Sequence, residues 1–128
     1  MSIRNQEPAL SVETSAVIAR FNDAFGRLDA DAVMSLMTDD CVFENTFPAP
    51  DGERHVGAQK VGEFWRQFFA STPSARFEAE ETVVFGDRAV VRWIFHWEND
   101  GVAGHVRGID LFRVRNGKVA EKLSYVKG

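Results

Sequence analysis

The sequence predicts an α+β domain in which three N-terminal helices cover one concave face of a curved, mostly antiparallel sheet. Two observations carry that expectation. In the first part of the chain, apolar residues recur three times at the 3.6-residue spacing of a helix. From Ala75 onward the period changes to two, through long strands separated by tight turns. Strands joined that way run antiparallel. Helices ahead of such a sheet bury their apolar stripes by lying on one of its faces.

Met1 to Leu10 is expected as a loose arm. Ser11 or Thr14 caps the first helix, whose apolar face is Val17, Phe21, Ala24, Phe25 and Leu28, and Gly26 weakens its end. Asp29 caps a short second helix in which Val33, Leu36 and Met37 share a face, and Thr38-Asp39-Asp40 stops it. Cys41 to Phe47 alternates as a short strand. Phe47-Pro48-Ala49-Pro50-Asp51-Gly52 must be a loop, because two prolines and a glycine punctuate it. A third helix from Ala58 to Ala70 carries a heavy stripe of Val61, Phe64, Trp65, Phe68 and Phe69, and Ser71-Thr72-Pro73 ends it.

The first long strand alternates Phe77, Ala79, Val83 and Phe85 with polar residues and turns at Gly86-Asp87. The second shows Val91, Trp93, Phe95 and Trp97 on one face and Arg92, Ile94, His96 and Glu98 on the other. After Asn99-Asp100-Gly101, the third sets Val106, Gly108, Asp110, Phe112 and Val114 opposite a face of Arg107, Ile109, Leu111 and Arg113. Asn116-Gly117 is a strong hairpin signal, and the last strand runs from Lys118 to Val126.

At 128 residues, the chain is expected to form one domain across 1–128. A net charge of −4 argues against a nucleic-acid binder, which needs a basic surface to displace phosphate counterions. No apolar run approaches the roughly 20 residues that span a bilayer. Met1 to Ser15 lacks the basic-then-apolar layout of an export signal, so a cytoplasmic protein is expected. One cysteine, Cys41, excludes an internal disulfide. Eleven Phe and three Trp exceed what a minimal core needs.

The pattern resembles the nuclear-transport-factor-2-like superfamily, in its SnoaL-like and ketosteroid-isomerase-like branches. The resemblance rests on Leu36-Met37-Thr38-Asp39-Asp40-Cys41-Val42-Phe43-Glu44-Asn45, on Val56-Gly57 opening the aromatic helix, and on Arg107-Gly108-Ile109-Asp110-Leu111-Phe112-Arg113-Val114-Arg115-Asn116-Gly117-Lys118-Val119. It implies a cone-shaped sheet of the cystatin-like α+β kind, with a cavity at its open end, usually in a homodimer. Ketosteroid isomerase places its carboxylate base where this chain has Asn45, its oxyanion-hole tyrosine at Phe21 and its second aspartate at Asp110. Asn45 cannot take a proton at neutral pH and Phe21 cannot donate a hydrogen bond, so steroid isomerisation by that route is not expected. Polyketide cyclases and epoxide hydrolases of the superfamily place acidic or polar groups on the last strands, where this chain offers Lys122 and Ser124.

Asp110 is the anomaly, a carboxylate on an apolar strand face that is costly to bury unpaired. Either the sheet frays there and Asp110 is solvated, or it serves the cavity. Lys122 is its expected partner, the alternative being an ordinary surface lysine. A three-residue loop with a bulge at Gly117 puts Asp110 directly across from Lys122, whereas a two-residue loop sets it opposite Leu123. The first register is favoured because it gathers Asp110, Phe112 and Lys122. An ammonium about 4 Å away contributes about 4 kcal/mol at an effective dielectric near 20. That is comparable to the cost of burial, so the two terms compete. Paired, Asp110 is an anion and a candidate general base; unpaired, it is a neutral hydrogen-bond donor.

Asn45 either orients a substrate carbonyl or hydroxyl or bonds nearby backbone. Phe21, Phe43, Trp65, Trp93, Phe95, Trp97 and Phe112, with Ser124, are the candidate substrate-contacting residues. His55, His96 and His105 are not spaced as a metal site, and no GxGxxG or P-loop occurs, so neither metal nor cofactor is expected. Cys41 reads as a buried inert thiol. The expectation is therefore a cofactor-free enzyme that moves a proton on a small apolar carbonyl or hydroxyl compound, or else a binding module or association domain. A homodimer through the outer sheet face, with Ile109 and Leu111, is expected too.

Overall fold

The computed structural model describes residues 3–128, with side chains from residue 7 onward. The elements are α1 (Ile3–Gly26), α2 (Ala30–Ser35), β1 (Met37–Glu44), β2 (Arg54–Val56), α3 (Ala58–Ser71), β3 (Arg76–Phe85), β4 (Arg88–Asn99), β5 (Val102–Arg115) and β6 (Lys118–Val126). One curved, unclosed sheet runs β2-β1-β6-β5-β4-β3. Every neighbouring pair is antiparallel except β1 and β6, which are parallel. The α+β cone is therefore the architecture. α1 lies against β3 and β4, and α3 lies against β1. Among the described residues no helix is long and apolar enough to cross a membrane.

The helices and the inner sheet face meet in an aromatic core. Phe21 of α1, Trp65 of α3 and Phe112 of β5 are each almost fully buried. The Phe21 ring meets Phe112 edge-on at 5.4 Å and Trp65 at 6.0 Å, the T-shaped geometry that ring quadrupoles favour. On β5 the inner face is Gly108, Asp110, Phe112 and Val114, as the alternation predicts.

Helix α1 departs from expectation. Met1 and Ser2 lie outside the described residues, but the chain is helical from Ile3 rather than loose to Leu10, and Pro8 lies inside the helix. The helix is held at a distance. The Gly86 N–H donates to Ser11 Oγ at 2.8 Å and to Glu7 Oε1 at 3.2 Å, while Thr14 Oγ1 donates to the Gly86 carbonyl at 2.7 Å. These bonds clamp α1 onto the β3–β4 turn. Other boundaries also shift. Met37 leaves the second helix and begins β1, and residues 54–56 form a short strand where the sequence shows only the tail of a loop. Asp29 does cap α2, with its Oδ1 accepting from Ala32 N at 3.0 Å.

The last hairpin follows neither register expected for it. Asn116 and Gly117 both have positive φ, 52° and 76°, which makes a two-residue turn closed by Arg115 and Lys118. The register then slips: Val114 faces Val119, but Arg113 faces Glu121, leaving Ala120 as an extra residue. Val119 and Ala120 are both buried. The bulge turns Lys122 and Ser124 to the inner face. Asp110 stands opposite Ser124, and Lys122 stands opposite Phe112, one diagonal step away.

Candidate functional site

Asp110 and Lys122 are buried, with 7% and 6% of their surface exposed. Lys122 Nζ lies 3.2 Å from Asp110 Oδ2. Ser124 Oγ donates to Asp110 Oδ1 at 2.6 Å and accepts from Lys122 Nζ at 3.0 Å. The three side chains close a triangle in which both carboxylate oxygens are engaged. That answers the cost of burying a charge, because the partner and the hydrogen bonds replace lost water. The ammonium also sits 4.8 Å from the centroid of Phe43, its neighbour on β1, and 5.1 Å from that of Phe25.

Beside this triangle lies a cavity of about 430 Å³, within the range of roughly 300–1,000 Å³ common for small-molecule sites. Phe43, Trp65, Trp93, Phe95, Lys122 and Ser124 line it, as does Asn45 at its rim. Five of its rings come from residues not singled out for it in the sequence: Phe25, Phe47, Phe64, Phe68 and Phe77. Their signal was available, since each belongs to an apolar stripe or alternation. The stripes do not say which members end at a void and which are packed over.

The structure redistributes the other candidates. Phe112 is packed in the core. Phe21 borders only a crevice of about 40 Å³ behind the cavity, as does Asp110 itself. Trp97 packs on Phe95 at 5.5 Å outside the cavity lining. Asn45 is committed to its own loop: its Oδ1 accepts from the Glu53 N–H at 2.6 Å, and its Nδ2 lies 3.4 Å from Glu53 Oε1. Gly52, at φ 71°, is pressed so closely on Asn45 that an added Cβ would lie 2.0 Å from the Asn45 carbonyl oxygen. Asn45 therefore ties residues 45–53 together rather than reaching for a substrate. His55 lies on β2, not in a loop, and faces the Phe43 and Phe64 rings. Among the described residues no cluster of three or more His, Cys, Asp or Glu could hold a metal ion.

The division of labour follows from which atoms meet the cavity. Lys122 and Ser124 line it, whereas Asp110 stands behind them. A proton arriving at Ser124 Oγ can be matched by the serine proton moving to Asp110 Oδ1, along a hydrogen bond already formed. Lys122 touches both the carboxylate and the serine, so its charge opposes any negative charge that appears at either.

Cys41 is fully buried on β1. Burial, above all, pushes its thiol up from the ordinary value, and the Asp40 and Asp39 charges add to the effect. A raised folded-state value means that the neutral thiol favours the fold, and this contribution is lost as pH rises past 9.0. Stability should fall in that alkaline range, and Cys41→Ser should flatten the fall. An aromatic disulfide reagent should label Cys41 only as fast as the protein unfolds; rapid labelling of the native protein would refute the inert assignment.

Comparison with known proteins places this geometry. Residues 18–122 match the SnoaL-like domain family. A nuclear-transport-factor-2-like protein of unknown function from Mesorhizobium loti is 46% identical, covers 92% of this chain and 93% of its own, and superposes with a TM-score of 0.80. A protein provisionally named a polyketide cyclase, from Xanthomonas campestris pv. campestris, is 19% identical over 91% of this chain and 92% of its own, at a TM-score of 0.72. TerC, co-crystallised with polyporic acid, is 18% identical over 90% of this chain and 91% of its own, at a TM-score of 0.76. Among curated protein sequences none matches. Shared sequence over most of its length, on the same curved sheet and helices, makes this chain a member of the SnoaL-like family of the nuclear-transport-factor-2-like superfamily.

Proposed function

We propose that this protein binds a small, largely apolar carbonyl or hydroxyl compound in its aromatic cavity and moves a proton on it without a cofactor. Asp110 is the acceptor, Ser124 passes the proton, and Lys122 steadies the charge. The observation that carries this is the buried Asp110–Ser124–Lys122 triangle at the cavity wall. A solvated surface pair would need no such enclosure, and proton-transfer sites are built from acid and base groups set beside an apolar pocket. That TerC, which shares the fold, was co-crystallised with polyporic acid supports small-molecule binding on this fold.

The test uses 2-tetralone, a flat ketone with exchangeable protons beside its carbonyl. Its exchange in D2O, followed by proton NMR, should be accelerated by the wild-type protein. Asp110→Asn and Ser124→Ala should each lose about 10²-fold or more of that acceleration, with tetralone affinity largely kept. Binding without acceleration would identify a binding module. Failure of any carbonyl or hydroxyl compound to raise the melting temperature would point to an association domain.

We also propose a homodimer through the outer sheet face, in a cytoplasmic setting. Ile109 and Tyr125, paired across β5 and β6, are 38% and 54% exposed, beside partly buried Leu111 and Leu123. Ile94, also on that face, is already covered within one chain. Ile109→Glu should convert a dimer to a monomer by light scattering; a wild-type monomer would remove this part of the proposal.

A further inference from the structure

The polar atoms around the cavity are unevenly signed. The acid of the triangle is turned away: Asp110 is outside the cavity lining, and Ser124 and Lys122 occupy both of its oxygens. The serine proton is already given to Asp110. The acid that does line the cavity, Glu53, is exposed and engaged with Asn45. Besides the Thr46 hydroxyl on the loop, two donors lie among the rings. One is the Lys122 ammonium, which bonds Asp110 and Ser124 and otherwise rests against the Phe43 and Phe25 rings. The other is the Trp93 indole N–H, whose nitrogen is buried and has no acceptor among the described residues; Trp93 lines both the cavity and the crevice beside Asp110. A buried donor without an acceptor is rare in native proteins and points to a missing partner. An oxygen acceptor would serve the ammonium better than a ring face does, because a charge-assisted hydrogen bond is stronger than a cation–π contact.

The remaining wall fixes the shape. Phe77 and Phe95 stack at 4.5 Å and 18°, and Phe64 and Phe68 lie within 8° of parallel. Such walls accept flat rings in offset or edge contact. Lys122 already places a positive charge on this wall, with its partner Asp110 behind it, so a second cation beside the ammonium meets repulsion.

We propose that the cavity selects a flat aromatic molecule bearing a hydrogen-bond-accepting oxygen, with Lys122 and the Trp93 N–H as the donors that set this choice, and that it rejects cationic analogues. The proposal rests on the reading above that the cavity takes a small molecule. It assigns Trp93 a specificity role beyond its place in the wall.

Four probes of one shape test it by titration calorimetry: naphthalene, 2-acetylnaphthalene, 2-naphthoate and 2-naphthylmethylamine. The two oxygen-bearing probes should bind about tenfold or more tighter than naphthalene, the worth of one good hydrogen bond. The amine should bind about tenfold weaker than naphthalene. Trp93→Phe keeps a ring and removes the donor. It should weaken the oxygen-bearing probes about three- to tenfold and leave naphthalene unchanged. Lys122→Met should erase most of the oxygen preference and admit the amine. If that variant does not fold, Trp93→Phe decides alone. Naphthalene or the amine binding as tightly as the ketone would overturn the proposal and leave the small-molecule reading standing. An oxygen preference untouched in Trp93→Phe would remove Trp93 from it. No binding by any probe would overturn both.

Discussion

Replacing Lys122 by methionine should destabilise the protein by about 3–5 kcal/mol in urea unfolding, the cost of stranding one member of a buried ion pair. Methionine keeps much of the stem and its contacts with Phe43 and Phe25 but removes the ammonium. Asp110 would then be left with only the Ser124 hydroxyl beside it. Asp110→Asn added to Lys122→Met should recover most of that loss, because an amide needs no counter-charge, and the double-mutant cycle should show strong coupling. A Lys122→Met loss below about 1 kcal/mol would mean that the pair behaves as an exposed one. The enclosed site described above would then be untenable.

Gly108→Ala should cost about 1–3 kcal/mol by overpacking, and it should shift Trp93. A Cβ at position 108 would lie 2.3 Å from the Tyr125 carbonyl oxygen and 2.5 Å from Trp93 Cζ2. One of those neighbours is backbone of β6 and cannot swing aside. Gly104→Ala makes the control. The three atoms nearest its Cβ would all belong to the Trp97 ring, the first at 2.6 Å, and Trp97 is a half-buried side chain outside the cavity lining, not backbone. The loss at 108 should exceed the loss at 104, and only Gly108→Ala should weaken ligands of the cavity. Equal effects would mean that the β5 backbone adjusts freely and that Gly108 does not set the Trp93 position.

The two glycines show what a sequence can carry. Trp93 faces Gly108 and Trp97 faces Gly104, mirrored about the turn at Asn99-Asp100-Gly101. A large ring opposite a missing side chain is a cross-strand fit that spacing alone could have exposed. The inner face of β5, and with it the odd position of Asp110, is equally plain from alternation. The meeting of Asp110 with Lys122 was expected, but the route to it was not. Val119 and Ala120 are both small and apolar, so nothing in their identity announces the bulge that turns Lys122 inward. The first turns of α1 were opaque for another reason. Their anchors on Gly86 lie more than seventy residues away in sequence, and Pro8 argued locally for the opposite. Asn45 presented two open uses, and only the fold of residues 45–53 chose the backbone one.

The parallel pairing of β1 with β6 has a consequence for synthesis. Of the nine elements among the described residues, β6 leaves the ribosome last, yet it lies in the middle of the sheet, between β1 and β5. Until it emerges, β1 and β5 have open edges, and the rings of α3 and β4 have no closed wall to face. A nascent chain in this state is a natural client for chaperones that hold exposed greasy surface. The aromatic cavity, with Lys122 and Ser124 both on β6, cannot exist before the final strand slides into place.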